Sequence, residues 1–187
     1  LKYYIKLIRP VNLIIIGLTM YVLKWVTSLS IKQDVLLFDD SSILLGLSNE
    51  IGFALLVTAM LCTAAAGYVI NDIFDIEEDE INKPHKLIVS QQISTQSATR
   101  FYGILNIIGG LISCYLSIFT GSFVFITFIA CLIFLLWIYS KRLKKTLLLG
   151  NVLVSIITAS TAIITSVYMS EIAFPYFSAG TIYANTE

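Results

Sequence analysis

Asn71-Asp72-Ile73-Phe74-Asp75-Ile76-Glu77-Glu78-Asp79 concentrates carboxylates where an apolar stretch, Ile51 to Ile70, leaves off, in a chain of which only 13% is charged. If the helix continues through this run at about 100° per residue, Asn71, Asp75, Asp79 and Asp72 lie at roughly 0°, 40°, 80° and 100°. They share one face. Glu77 and Glu80, at roughly 240° and 180°, point away, and Glu78 sits on the margin near 340°. Three carboxylates and one amide oxygen converging at the edge of hydrocarbon repel one another unless a cation joins them. Hard oxygen donors favour Mg²⁺ or Ca²⁺ over softer metals. Mg²⁺ is usually held by one or two carboxylates and completes its octahedron with water and substrate phosphate oxygens, so an open site of this kind is a phosphate clamp. A solvated acidic loop between helices has the same composition. The one-face spacing favours the clamp.

The elements that must position this run are membrane spans. Hydrophobic residues make up 57% of the 187-residue chain and mean hydropathy is +0.87, the composition of a polytopic membrane protein. The formal net charge of zero excludes the basic excess that nucleic-acid binding needs. Five segments have the roughly 20-residue apolar length of a span: Val11 to Leu29, Ile51 to Ile70, Ala98 to Ile118, Ser122 to Tyr139, and Leu148 to Met169. Phe119-Thr120-Gly121 predicts a tight hairpin between the third and fourth. Glu171 and Pro175 then interrupt the pattern, and Phe177 to Tyr183 reads as the start of a sixth helix. Starting at Leu1 and ending inside an unfinished apolar segment, the sequence reads as a piece of a longer protein. The first span follows Lys2, Lys6, Arg9 and Pro10 but lacks a small-residue cleavage site, so it is a retained helix rather than a secretory signal.

Basic residues near short loops mark the cytoplasmic face. With the N-terminus inside, Lys2, Lys6, Arg9, Lys83, Lys86, Arg100, Lys141, Arg142, Lys144 and Lys145 share that side, leaving Lys24 and Lys32 opposite. The acidic run therefore faces the same compartment as Lys83, Lys86 and Lys144, which also favours the clamp. Ala64, Ala65, Ala66 and Gly67 before the run, and Gly109-Gly110 in the third span, are small residues of the kind that let helices approach closely in lipid. Cys62, Cys114 and Cys131 fall in apolar stretches and read as buried packing thiols. His85, the only histidine, lies in a polar loop between lysines and reads as a loop residue without a metal or proton role.

The sequence resembles the UbiA-type intramembrane prenyltransferases. Asn71-Asp72-x-x-Asp75-x-x-x-Asp79 matches that family's N-D-x-x-D-x-x-x-D signature. Arg9-Pro10-Val11-Asn12-Leu13 looks like the R-P-x-N-L opening of its first helix, and Asn82-Lys83-Pro84-His85-Lys86 its N-[RK]-P-x-[RK] segment. Tyr139-Ser140-Lys141-Arg142-Leu143-Lys144 is similar to its Y-S-x-x-L-K, and Gly150-Asn151 to the G-N that opens its fifth helix. Leu87 and Gln91 stand where the family commonly has proline and glycine, implying a less tightly turned loop and a less secure role for Lys86.

The resemblance implies an all-α, polytopic transmembrane bundle of about nine helices around a central cavity. Residues 1–187 would be a single prenyltransferase domain, cut short before the family's second motif, D-x-x-x-D, which this sequence lacks. It also implies an enzyme: Mg²⁺-dependent transfer of a prenyl group from an allylic prenyl diphosphate to a lipophilic acceptor, with ionisation of the diphosphate, in a prokaryotic cell membrane. As a fragment, the chain is expected to be inactive or to bind poorly. Asn71 and Asp75 are the implied direct or water-mediated metal contacts, and Asp72 and Asp79 complete the first acidic site. Lys83, Lys86 and Lys144 are candidates for phosphate oxygens, and Tyr139 for a hydroxyl donor, although an interfacial tyrosine is also an aromatic-belt residue. Arg9 reads as an anchor or substrate contact. Asn12, an amide inside a span, is expensive to bury without a partner and reads as a cavity residue. The acceptor is a quinone precursor or a prenylglycerol phosphate, and the Arg9 to Leu13 and Ala65 to Asp72 segments are similar to members assigned to the latter. A cation channel or transporter and a non-catalytic scaffold are the rival readings. The first would not need a lysine cluster beside its acidic ring, and the second would tolerate Asp75→Asn.

Overall fold

The computed structural model describes residues 2–35, 42–82 and 87–184. In chain order its helices are α1 (Lys2–Leu7), α2 (Pro10–Val35), α3 (Ser42–Phe74), α4 (Ile76–Asn82), α5 (Thr95–Thr120), α6 (Val124–Lys141) and α7 (Leu147–Ala184), with a short 3-10 turn at Leu143–Lys145. Five of them carry stretches long and apolar enough to cross a membrane: Pro10–Leu29, Glu50–Phe74, Thr95–Thr120, Val124–Lys141 and Leu148–Glu171. The fold is all-α, as the hydropathy predicts.

α3 is the hub. It packs most extensively on α5 and also touches α6, α2 and α7, and 61% of its most apolar window is buried, against 11–33% in the other spans. Small residues allow the closest of these approaches. A Cβ on Gly109 of α5 would stand 3.1 Å from Thr63 Oγ1 and 3.3 Å from the Ala59 carbonyl, whereas one on Gly110 would meet nothing within 4 Å. Only the first glycine of the pair serves the contact. The α5–α6 hairpin turns where expected: Gly121, at φ 70°, donates its N–H to Ser117 and Ile118 carbonyls, and Ser117 Oγ accepts from the Ile126 N–H at 3.0 Å.

Two expectations are corrected here. Glu171 bounds the fifth span but neither it nor Pro175 ends the helix, because α7 runs unbroken from Leu147 to Ala184 and Phe177 to Tyr183 continue it instead of opening a sixth helix. A proline deletes one amide donor, and membrane helices tolerate that loss when neighbouring groups re-satisfy the backbone. The loop at Leu87 to Ile93 is also tighter than expected. Ser90 takes φ 82°, its N–H donates to Ile93 O at 2.8 Å, and the Gln92 and Ile93 N–H groups both donate to Ile88 O. Serine accepts here the left-handed conformation that glycine adopts without strain, and burial of Val89 and Ile93 beside Leu7, Val69 and Ala98 holds the turn. The three cysteines are free, two partly buried and Cys131 exposed.

Candidate functional site

The acidic run lies where α3 gives way to α4. Asp75 stands at the break, yet its N–H donates to Asn71 O at 3.0 Å and the Asp79 N–H donates to Asp75 O at 2.8 Å. The i to i−4 pattern thus crosses the junction, and the register expected from a helical wheel reaches Asp79. Asn71 Nδ2 donates to Asp75 Oδ2 at 2.7 Å, while the Lys144 ammonium pairs with Asp75 Oδ1. Asp72 is turned the other way, toward Arg9, whose Nη2 lies 2.7 Å from its Oδ1. Asp79, half-buried, stands on α4.

Asp72 and Asp75 thus engage different cations, although Asp72 remains close enough to Asp75 and Asp79 to feel their charge. Among the described residues no three His, Cys, Asp or Glu side chains gather as a metal-holding cluster. Cations of the chain itself offset part of the repulsion that the sequence predicts: Arg9 pairs with Asp72 and Lys144 with Asp75. Both pairs are half-buried, with side-chain exposures of 45% and 23% for Arg9 and Asp72, and 11% and 19% for Lys144 and Asp75. Charge-assisted bonds in such surroundings are stronger than their exposed counterparts.

Each cation is delivered by a special piece of backbone. Pro10 at the first position of α2 disfavours helical geometry in the residue before it, and Arg9 sits at φ 52°. Its carbonyl accepts from the Asn12 and Leu13 N–H groups. This conformation costs a non-glycine residue about 1–3 kcal/mol. The guanidinium is held in return by Asp72 and by the Tyr68 ring, 5.0 Å from its centroid. Lys144 sits in the 3-10 turn between α6 and α7, and Gly150 lets α7 press against that turn. A Cβ there would lie 2.9 Å from the Leu143 carbonyl oxygen and 3.5 Å from Lys144 Cα.

Of these groups Arg9, Tyr68 and Asn71 line a cavity of about 380 Å³ between α2, α3, α6 and α7, and Asp72, Asp75 and Lys144 stand behind them, outside the lining. Arg9, Tyr68, Asn71 and Tyr139 line one end, and Ile16, Met60, Leu132 and Ile157 line the interior. Along α3 the lining runs Met60, Thr63, Ala64, Gly67, Tyr68, Asn71, a single helical stripe about 16 Å long at 1.5 Å per residue. Tyr139 lines the cavity. Asn12 does not: it is exposed and outside the lining set, because it stands in the first turn of α2, at the end of the span, where an amide costs little. Lys83, Lys86 and His85 lie outside the described residues.

Sequence reasoning missed Tyr68, Thr19, Thr158 and Thr161, all of which line the cavity. Stepping back from Asn71 by three, four and seven residues would have found Tyr68, Gly67 and Ala64. The threonines carried no signal, since each has a carbonyl one turn back to satisfy it: Ile15 for Thr19, Val154 for Thr158 and Thr158 for Thr161.

Comparison with known proteins fits this geometry. A digeranylgeranylglyceryl phosphate synthase of Sulfolobus acidocaldarius is 41% identical over 108 residues, 58% of this chain and 37% of that protein. The same-named protein of Hyperthermus butylicus is 31% identical over 170 residues, 91% of this chain and 51% of that one. A solved structure, described as giving structural and mechanistic insights into the biosynthesis of digeranylgeranylglyceryl phosphate synthase in membranes, superposes with a TM-score of 0.69. It is 28% identical, over 89% of this chain and 52% of that one. The chain thus spans about half the length, or less, of these relatives. The profile of the UbiA prenyltransferase family matches residues 43–184, and with five apolar spans the chain is an integral multi-pass membrane protein that belongs to that family.

Proposed function

We propose that this chain supplies the first acidic site and part of the prenyl cavity of an enzyme that moves a prenyl group from an allylic diphosphate to the glycerol hydroxyl of a prenylglycerol phosphate. The carrying observation is the cavity's asymmetry. Asn71, Arg9 and Tyr139 stand at one end, with Asp72, Asp75 and Lys144 linked to them, and the interior is lined largely by apolar side chains. A diphosphate head with an apolar tail has the same polarity. The name shared by the relatives, digeranylgeranylglyceryl phosphate synthase, supports a glycerol phosphate acceptor over a quinone precursor.

The donor set fits a hard cation. Asn71 and Asp75 sit on adjacent turns at the cavity end, already joined by a hydrogen bond, and both carboxylates that face the bundle hold cationic partners. Asn71 and Asp75 would hold Mg²⁺, with Asp72 and Asp79 completing the acidic site. Bound there, Mg²⁺ would cancel the repulsion between carboxylates and diphosphate and stabilise charge on the leaving oxygen.

The chain's own groups account for the rest. As the allylic C–O bond breaks, its electron pair leaves with the diphosphate, and Lys144 and Arg9 supply fixed positive charge beside it. Tyr139 offers a hydroxyl donor to the same oxygens, and Lys83 and Lys86 are further candidates for them. The apolar interior keeps water from the allylic cation, so the acceptor hydroxyl oxygen forms the new bond to that carbon and gives up its proton to an oxygen of the departed diphosphate. The loop charges support a cytoplasmic N-terminus and acidic run, and a prokaryotic cell membrane is the reading that goes with the archaeal relatives.

The test is an assay of the whole open reading frame in membranes, with labelled geranylgeranyl diphosphate and either a prenylglycerol phosphate or a hydroxybenzoate. Mg²⁺-dependent product is expected with the first acceptor. Asp75→Ala and Asp72→Ala should lower turnover by about 10²–10³-fold, the usual loss for removing a preorganised charge contact. Turnover without Mg²⁺, or full activity in both variants, overturns the reading, and product only with hydroxybenzoate reassigns the acceptor.

A further inference from the structure

Beyond the cavity's lining, three helices carry buried side chains in register. The lining residues farthest along these helices from the acidic end are Met60 on α3, Leu132 on α6 and Thr161 on α7. One turn further along the same faces come Leu56, Ile129 and Ile164, each no more than 1% exposed. About two turns beyond the lining, at the seven-residue repeat that returns to the same face, come Phe53, Phe125 and Tyr168, also fully buried. These three rings touch: Phe53 lies 5.5 Å and Phe125 5.9 Å from Tyr168, centroid to centroid. The next layer is pinned by charge. The buried Lys24 ammonium stands 4.8 Å from the Phe53 centroid and 2.5 Å from Glu50 Oε1.

We infer that Leu56, Ile129 and Ile164, backed by the Phe53–Tyr168–Phe125 cluster, form a floor that limits how long a prenyl tail the cavity accepts while the diphosphate remains at Asn71 and Asp75. This rests on the function proposed above and adds the residues that set its donor specificity. The physical basis is exclusion, not attraction. Lipid tails are as apolar as the cavity wall, so a longer tail gains little by entering from the bilayer, whereas a floor that cannot move forces its head out of register. Two successive layers behind it make this floor hard to displace: the packed rings, and beyond them a buried cation on Phe53. One helical turn is about 5.4 Å, close to the length of a five-carbon prenyl unit. Removing one floor side chain should therefore shift the accepted length by one unit.

The test uses the whole open reading frame in nanodiscs with Mg²⁺, measuring displacement of a fluorescent farnesyl diphosphate analogue by geranyl, farnesyl, geranylgeranyl and geranylfarnesyl diphosphates and by inorganic diphosphate. Ile164→Ala, which deepens the cavity, should move the preferred length up by one prenyl unit and raise the longer-to-shorter affinity ratio about tenfold or more. Thr161→Phe, which fills existing space, should move it down by one unit. General destabilisation would weaken both variants without opposite shifts. A length profile unchanged in both, with binding retained, overturns the floor. Failure of every prenyl diphosphate to displace the probe from the unmutated protein overturns the proposed function instead. If Ile164→Ala does not fold, Thr161→Phe alone decides: no downward shift rejects the floor.

Discussion

The two ends of the bundle both carry ion pairs between distant helices, and they use them differently. At the acidic end Arg9–Asp72 and Lys144–Asp75 are linked to the cavity-lining Arg9 and Asn71, and are delivered by irregular backbone: a left-handed residue, a 3-10 turn and a helix break. At the opposite end Lys24–Glu50 joins two long helices, with Lys24 lying on an aromatic ring and its surroundings packed solid. Strained backbone beside space is what a binding site needs, because its charges must be able to change partners. Regular helix around a fixed pair is what a wall needs. The comparison predicts that substitutions at the first end will cost activity more than stability, and at the second stability more than activity.

Gly150→Ala is the sharpest way to break the first half of that comparison without touching a charge. The new Cβ would crowd the Leu143 carbonyl, which is fixed by bonds from both the Thr146 N–H at 3.0 Å and the Thr146 hydroxyl at 2.7 Å. The turn must shift, and Lys144 with it. Displacing a catalytic contact by about 1 Å can cost up to about 10²-fold. Turnover should fall about 10–100-fold while the melting temperature in detergent moves by a few degrees or less. A large melting shift with unchanged turnover would make the turn a wall element.

Gly52→Ala probes the other end. Its Cβ would fall on the Tyr168 hydroxyl, with the ring carbon that bears it 3.3 Å away, inside a cluster that has no room to yield. Overpacking of this kind costs about 1–3 kcal/mol. Thermal unfolding in detergent should report that loss, while Mg²⁺-dependent turnover at a temperature where the variant is folded should stay within about twofold. Loss of turnover in the folded variant would show that the far end is coupled to the acidic end.

How much of this could be read from the sequence depends on whether the determinant is local. Apolar length placed the spans within a few residues of the Pro10–Leu29, Glu50–Phe74, Thr95–Thr120, Val124–Lys141 and Leu148–Glu171 segments. Their ends shifted because backbone hydrogen bonding continues into polar residues that hydropathy discounts. The wheel placed Asp75 and Asp79 on the face of Asn71 for the same local reason. It could not foresee that Asp72 turns toward Arg9, 63 residues away, because the choice of partner depends on where α1 ends and on Pro10 forcing Arg9 out of the helix. Lys144 was legible as a nearby charge, but its pairing with Asp75 rests on a glycine whose role, contact with a carbonyl on another element, leaves no periodic trace. The cavity floor was invisible because it is made of ordinary apolar residues whose register on three helices appears only once the helices are packed.

The smallest expected effect is an asymmetry within the Lys24–Glu50 pair. The lysine side chain is 9% exposed and the glutamate 61%, so the two partners do not lose equally when the other is removed. Lys24→Met leaves a carboxylate that solvent or headgroups can accept, and it replaces a buried ammonium by an apolar chain of similar length. Exchanging a buried charge for a hydrophobic residue is often neutral, and the expected change is within about 0.5 kcal/mol. Glu50→Gln instead leaves the ammonium among Phe53 and its neighbours, with the ring as its one charge partner among the described residues. Because the glutamate is largely exposed, its attraction is already screened, which limits the expected loss to about 1 kcal/mol. Thermal melts of the two variants in the same detergent decide the matter. The predicted order is unmutated protein and Lys24→Met together, with Glu50→Gln below them. The reverse order would mean that the pair stabilises the wall through the lysine, whose ammonium and contact with Phe53 are then dispensable to neither the floor nor the helices it joins.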